Sequence, residues 1–138
     1  MNNLELITKS DKVTVLKTLG IEIISATAEK VVLEMTVDER HHQPMGILHG
    51  GVSVVLAETA ASLGAMMAVD LTKQTPVGVE INANHLRSAK SGKLTTIATP
   101  SYHGRTLSVW NIEIKDERDK IICISRCTIA LKTGGIVP

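Results

Sequence analysis

The stretch from Gly50 to Val69, GGVSVVLAETAASLGAMMAV, constrains the fold more than any other part of the chain. Val52, Val55, Leu56, Thr59, Leu63, Met66 and Met67 recur at helical spacing on one stripe. The remaining faces carry Gly51, Val54, Ala57, Ala60, Ala61, Gly64, Ala65 and Ala68, so the helix is apolar nearly all round. A helix of that kind must be enclosed by other segments, and its small side chains let neighbouring backbone come close.

The segments available to enclose it read as strands. IEIISAT and KVVLEMTV are rich in β-branched residues and separated by Ala28 and Glu29, which predicts a hairpin. After the helix come TPVGVEINANHLR, KLTTIATPSYHG, TLSVWNIEIKDE and KIICISRCTIALK, punctuated by turn signals at SG, HG and DERD. Ahead of them, DKVTVLKTLG places Val13, Leu16 and Leu19 at helical spacing and stops at Gly20, while DERHHQPMG reads as a polar loop. The predicted class is α+β, with one antiparallel sheet wrapped around a long central helix. A chain of 138 residues suits a single domain over residues 1–138.

Composition removes several function classes. Fifteen Lys and Arg against fourteen Asp and Glu leave a formal charge of +1, too little to hold nucleic acid or a membrane surface. Phe is absent, and Trp110 and Tyr102 are the only large aromatics, so base-stacking platforms are missing. MNNLELITKSDKVTVLK lacks the basic start and apolar run of a secretory signal, and no segment approaches the ~20 apolar residues of a membrane span. The expectation is a cytoplasmic protein with neither nucleic acid nor membrane as partner. Cys123 and Cys127 lie four apart in a predicted strand, roughly 13 Å and thus beyond disulfide reach, so both read as buried free thiols.

Inside the apolar helix stands one ionisable side chain, Glu58, with no Lys or Arg on the helix to pair with it. A buried carboxylate is costly unless paired, hydrogen-bonded or neutralised. Ser62 lies one turn on and on the same side, with Gly51 and Ala65, so Glu58 borders a strip of small residues suited to a cavity wall. The plain alternative is a Glu58 that faces solvent or caps a neighbouring segment. The functional reading is a carboxylate tuned by burial to act as base or nucleophile. Just upstream, His49, Gly50 and Gly51 occupy the helix N-terminus, where free N–H groups and the positive dipole end hold a developing oxyanion. Glycine there admits a close carbonyl, and together these parts describe acyl transfer.

His41, His42 and His49 match no zinc-ligand spacing, so no metal is expected and the His41–His42 pair reads as a solvated loop. Along PVGVEINANH, Val77, Val79, Ile81 and Ala83 alternate with Glu80, Asn82 and Asn84, which puts His85 on the apolar side at the strand's end. Arg87, His103 and Arg105 supply local positive charge for phosphates, while Lys90 and Lys93 read as ordinary solvated charges.

GILHGGVSVVLAETAAS resembles the signature of hotdog-fold acyl-CoA thioesterases. QPMGILHGGVSVVLAE, VGVEINANHLRSAKSG and VWNIEIKDERDKIICISRCT are similar to the group of 1,4-dihydroxy-2-naphthoyl-CoA thioesterases and enterobactin proofreading thioesterases, over about Ile21 to Leu131. The resemblance implies a hotdog fold and hydrolysis of an acyl-CoA, most specifically an aryl-CoA, without metal or organic cofactor. It implies Glu58 as nucleophile or general base, Gln43 and His49 as residues that position the thioester and the lytic water, the Gly50 N–H as the polarising donor, and Ser62 as an assisting polar residue. It also implies CoA contacts at Gly78, at His85, Leu86, Arg87 and Ser88, and along Tyr102, His103, Gly104, Arg105, Thr106 and Leu107. Dimers or dimers of dimers are implied, with Glu58 facing Gln43 and His49 of a neighbouring subunit. The acyl pocket would fall to Leu63, Met66, Met67 and Met45, flexible side chains that accept aryl and fatty acyl groups alike. The competing readings are a broad-range phenylacetyl or fatty acyl-CoA thioesterase and a non-catalytic acyl-CoA sensor.

Overall fold

The computed structural model describes residues 2–136. Two short helices, α1 (Asn3–Thr8) and α2 (Val15–Leu19), precede the hairpin β1 (Glu22–Ala26) and β2 (Val31–Val37). A 3-10 turn, Glu39–His41, and a loop lead into α3 (Gly50–Met67), followed by β3 (Gln74–His85), β4 (Gly92–His103), β5 (Leu107–Lys115) and β6 (Ile121–Thr133). The strands form one antiparallel sheet ordered β1-β2-β4-β5-β6-β3, and α3 touches all six. This is the hotdog arrangement expected from the sequence.

The face that α3 turns to the sheet is the small-residue face, carrying Ser53, Ala57, Ala60, Ala61 and Gly64, all buried. Of the Val52–Met67 stripe, Leu56 and Leu63 are buried, whereas Val52, Val55, Thr59, Met66 and Met67 are only half-buried. Trp110 is fully buried on β5, and its ring lies where a Cβ on Gly64 would sit. Its indole N–H donates to Ser108 Oγ at 2.5 Å, so the one large aromatic of the core is also satisfied. α3 is long and apolar enough to span a membrane, contrary to the expectation that no segment comes near that length; here it is packed against the sheet.

Two local features were not foreseen. α1 opens on a capping box between Asn2 and Glu5. Asn3 Nδ2 donates to Met66 O at 2.7 Å and Val69 O at 3.0 Å, capping the carbonyl end of α3. In β3 the register against β6 slips between Gly78 and Glu80, so Val79 is an extra bulged residue, 59% exposed. The bulge reverses the alternation. Ile81 and Ala83 pack on the core as expected, but the partners that share their face are Pro76 and Gly78, not Val77 and Val79.

α2 begins at Val15 behind the N-cap Thr14, leaving Val13 exposed, and ends as expected at Gly20, where φ is 68°. The His41–His42 pair is not solvated. His41 is fully buried, its Nδ1 accepting from Asp38 N–H at 3.0 Å and its Nε2 meeting Leu19 O at 2.7 Å. His42 Nε2 meets Lys90 O at 2.8 Å. These contacts fasten the loop before α3 to α2 on one side and to the β3–β4 connection on the other. Cys123 and Cys127 are buried free thiols.

Candidate active site

The N-terminus of α3 is built by the HGG triplet. His49 is the N-cap, its backbone N–H donating to His41 O at 2.8 Å and its Nδ1 accepting from Gly51 N–H at 2.8 Å. Val52 N–H donates to His49 O at 3.0 Å. Of the first three helical N–H groups, that of Gly50 is left without a partner among the described residues. The His85 ring packs on the open face of Gly50: a Cβ on Gly50 would stand 2.9 Å from His85 Nε2. Glycine is therefore required there both for the ring and for any carbonyl that approaches the free N–H.

That N–H opens on a cleft of about 320 Å³. The cleft brings together Gln43, Gly50, His85, Leu86, Arg87 and Ser88, six of the expected site residues, with Ile47, Leu48, Ser53 and Ile122 beside them. None of the last four was singled out in the sequence; the available signal was Ser53, a hydroxyl on a face otherwise made of Ala and Gly. Gln43 turns its Oε1 back to the N–H of Met45, closing its own loop.

Glu58 is half-buried rather than sealed, and its carboxylate lies over Gly78, whose missing side chain makes the room. Ser62 is half-buried one turn on. Beneath them Cys127 is fully buried, and burial first, then the charges of Glu58 and Glu80, pushes its thiol up to about 12. The Cys127 thiol is thus held neutral and is no competing nucleophile.

The remaining expected contacts fall elsewhere. His103, Gly104 and Arg105 line a second cavity of about 400 Å³ with Ala65, Met67, Ala68 and Gln74, at the carbonyl end of α3. His103 Nε2 meets Ala28 O at 2.9 Å, and Gly104 N–H donates to Leu107 O at 2.7 Å across the turn that also contains Thr106. Tyr102 and Leu107 are exposed on its flanks. Gln74 Nε2 donates to Arg105 O at 3.0 Å, tying this loop to the start of β3, whereas His85 stands at the strand's far end.

Of the expected acyl-pocket residues, Leu63 belongs to the sealed core, Met66 and Met67 are half-buried, and Met45 is 80% exposed. Among the described residues no three His, Cys, Asp or Glu side chains gather to hold a metal ion.

Within one chain, Glu58 and the Gly50 N–H are eight residues apart on one helix, about 12 Å along its axis. A carbonyl cannot be polarised by one and attacked with help from the other at that separation. The Gly50 N–H and the Glu58 carboxylate of one chain therefore do not meet on one carbonyl.

The model of the thioesterase superfamily matches residues 45–123. A 1,4-dihydroxy-2-naphthoyl-CoA hydrolase of Listeria monocytogenes is 51% identical over 84% of this chain and 94% of its own. ComA2 of Bacillus subtilis, named as an esterase with no substrate stated, is 57% identical over 87% of this chain and 95% of its own. Among solved structures, a thioesterase of Pseudomonas aeruginosa superposes with a TM-score of 0.88 at 41% identity, covering 94% of each chain. The chain belongs to the thioesterase superfamily, and it is a thioester hydrolase with the hotdog fold.

Proposed function

We propose that this enzyme hydrolyses acyl-CoA thioesters, with an aryl-CoA of the 1,4-dihydroxy-2-naphthoyl type as its preferred substrate. The observation that carries the catalytic reading is the partnerless Gly50 N–H at the α3 N-terminus, opening on a cleft that also holds Gln43 and the His85–Ser88 segment. The aryl preference draws on the 51% identity to the Listeria hydrolase.

The site is completed by a second copy. β3 is a free sheet edge, and antiparallel pairing of two such edges lays the His85 end of one copy beside the Gln74 end of the other. That pairing brings the cleft with Gln43 and Gly50, and His49 at the helix N-cap next to it, toward the Glu58 of the second copy. It also brings His85 to Ser88 toward the other copy's His103 to Leu107, uniting residues that one chain separates. The thioester carbonyl accepts from the Gly50 N–H, and charge developing on its oxygen is held by that donor and the helix dipole. Glu58 either attacks the carbonyl carbon, breaking the C–S bond to leave a mixed anhydride that water then hydrolyses, or takes a proton from a water that attacks the carbon directly; in either case the CoA thiolate that departs takes up a proton from water or from Glu58. Ser62 assists from one turn on. Arg87 and Arg105 hold the phosphates, and no metal or organic cofactor enters.

The test is steady-state hydrolysis of benzoyl-, dihydroxynaphthoyl-, phenylacetyl- and lauroyl-CoA, each beside Glu58→Ala. A kcat/KM preference for the aryl thioesters, abolished in the variant, supports the proposal. Even rates across the panel overturn the aryl preference, and full activity of Glu58→Ala overturns the role of Glu58.

A further inference from the structure

On the sheet-facing side of α3, Ser53 is the only hydroxyl among Leu56, Ala57, Ala60, Ala61 and Gly64, and it is 2% exposed. Serine is a poorer helix former than alanine, and burying its hydroxyl costs free energy unless a partner is supplied. Among the described residues no side-chain hydrogen bond involves Ser53. Nor is it sealed like Thr96 Oγ1, the orphaned hydroxyl of the core, because it lines the cleft beside Gly50, His85 and Gln43. Within the described residues the hydroxyl has no hydrogen-bond partner, so its partner is to be sought in what occupies the cleft.

We propose that Ser53 is a substrate-binding residue whose hydroxyl hydrogen-bonds the first amide of the pantetheine arm. This rests on the reading that the cleft takes that arm. Ser53 follows Gly50 by three residues and shares its helix face, about one turn further along. In an acyl-CoA the first amide lies two carbons beyond the thioester sulfur. With the carbonyl held at the Gly50 N–H, that amide falls about one helical turn away, at the depth of Ser53. The arm then leaves past Leu86 and Arg87 toward solvent. Any thioester whose thiol carries an amide at this position shares the contact; one built on a plain alkanethiol does not.

The experiment compares wild type and Ser53→Ala on three thioesters with a common benzoyl group: benzoyl-CoA, S-benzoyl-N-acetylcysteamine and S-ethyl thiobenzoate. Melting temperatures are recorded alongside, and alanine suits the helix. The expected result is a loss of about tenfold in kcat/KM on the two amide-bearing substrates, the value of one neutral hydrogen bond, carried by KM and absent on the ethyl thioester. Equal loss on all three, or no loss on any, overturns the role of Ser53. If the wild-type enzyme treats amide-bearing and amide-free thioesters alike, the assignment of the cleft to the arm fails, and Ser53 with it. Wild-type discrimination that persists undiminished in Ser53→Ala overturns Ser53 alone.

Discussion

Replacing Gly78 by Ala separates the position of the Glu58 carboxylate from the integrity of the fold. A Cβ at Gly78 falls inside the van der Waals envelope of Glu58 Oε1, with Glu58 Cδ at 3.3 Å and Cγ at 3.7 Å. Only the end of a flexible side chain is in conflict, and it must retreat by about 1 Å to reach ordinary contact. Gly78 is not among the residues with positive φ, so alanine fits its backbone. The cost to stability is then that of a displaced rotamer, about 1 kcal/mol. The cost to rate is far larger, because misplacing a reacting group by about 1 Å lowers turnover on the order of 10²-fold, equivalent to about 2.7 kcal/mol of barrier. The assay is kcat and melting temperature for Gly78→Ala beside Glu58→Ala, on the thioester the wild type prefers. A melting temperature within a few degrees of wild type, with kcat about 10²-fold lower, is expected. Wild-type kcat would show that the carboxylate over Gly78 is not where the chemistry happens. Loss of the folded state would show that Gly78 serves the sheet instead.

Gly64→Ala makes the opposite case: a Cβ there would stand 2.6 Å from Trp110 Cζ3 and 2.7 Å from Cζ2, both on a rigid ring, so denaturant unfolding should show about 1–3 kcal/mol of destabilisation. Unchanged stability would refute that packing. Mixed dimers of Glu58→Ala and His49→Ala contain one composite site with both residues intact, so two inactive parents should recover roughly a quarter of wild-type activity when co-expressed; no recovery rules out a site shared between copies. Asp38 is held down at about 2, against 3.8, by the Arg40 side chain, then by the Arg40 backbone N–H. Its folded pKa lies below the unfolded value, so its contribution is present above about pH 4 and is lost as pH falls through about 2. Asp38→Asn should therefore shrink the fall in melting temperature between pH 5 and pH 2, and an unchanged fall would refute the Arg40–Asp38 contact.

What the sequence conveyed and what it withheld follow from the range of the physics involved. The enclosed helix was legible because an apolar run of this length allows few alternatives, and HGG at its start marked the end where N–H groups are free. The bulge at Val79 was not, because strict alternation through PVGVEINANH is an equally good pattern, and only pairing with β6 reveals the extra residue. The same slip turns Gly78 toward Glu58, so the feature that makes room for the carboxylate is one that local periodicity cannot show. His41 misled for a related reason: a loop histidine is ordinarily solvated, and the Leu19 carbonyl that buries this one arrives from 22 residues away. α1 did carry a local signal, the Asn2–Glu5 capping box, but a six-residue helix acquires its stability from the α3 carbonyls it caps.

The division of the site was in principle legible from helical rise alone. Gly50 and Glu58 share α3, and about 12 Å of helix axis forbids their meeting on one carbonyl. The rigidity that keeps them apart is the enclosure of α3 by all six strands, and of the sheet's two edges, β1 and β3, it is β3 that carries His85 and Gly78. A free edge of twelve residues with His85 at one end and Gln74 beside Arg105 at the other presents complementary halves in opposite order, which an antiparallel copy reads in register. On the proposed pairing of two β3 edges, catalysis is a property of the pair, so dilution below the dimer's dissociation constant should abolish turnover while leaving each hotdog folded; turnover that survives such dilution would refute the shared site.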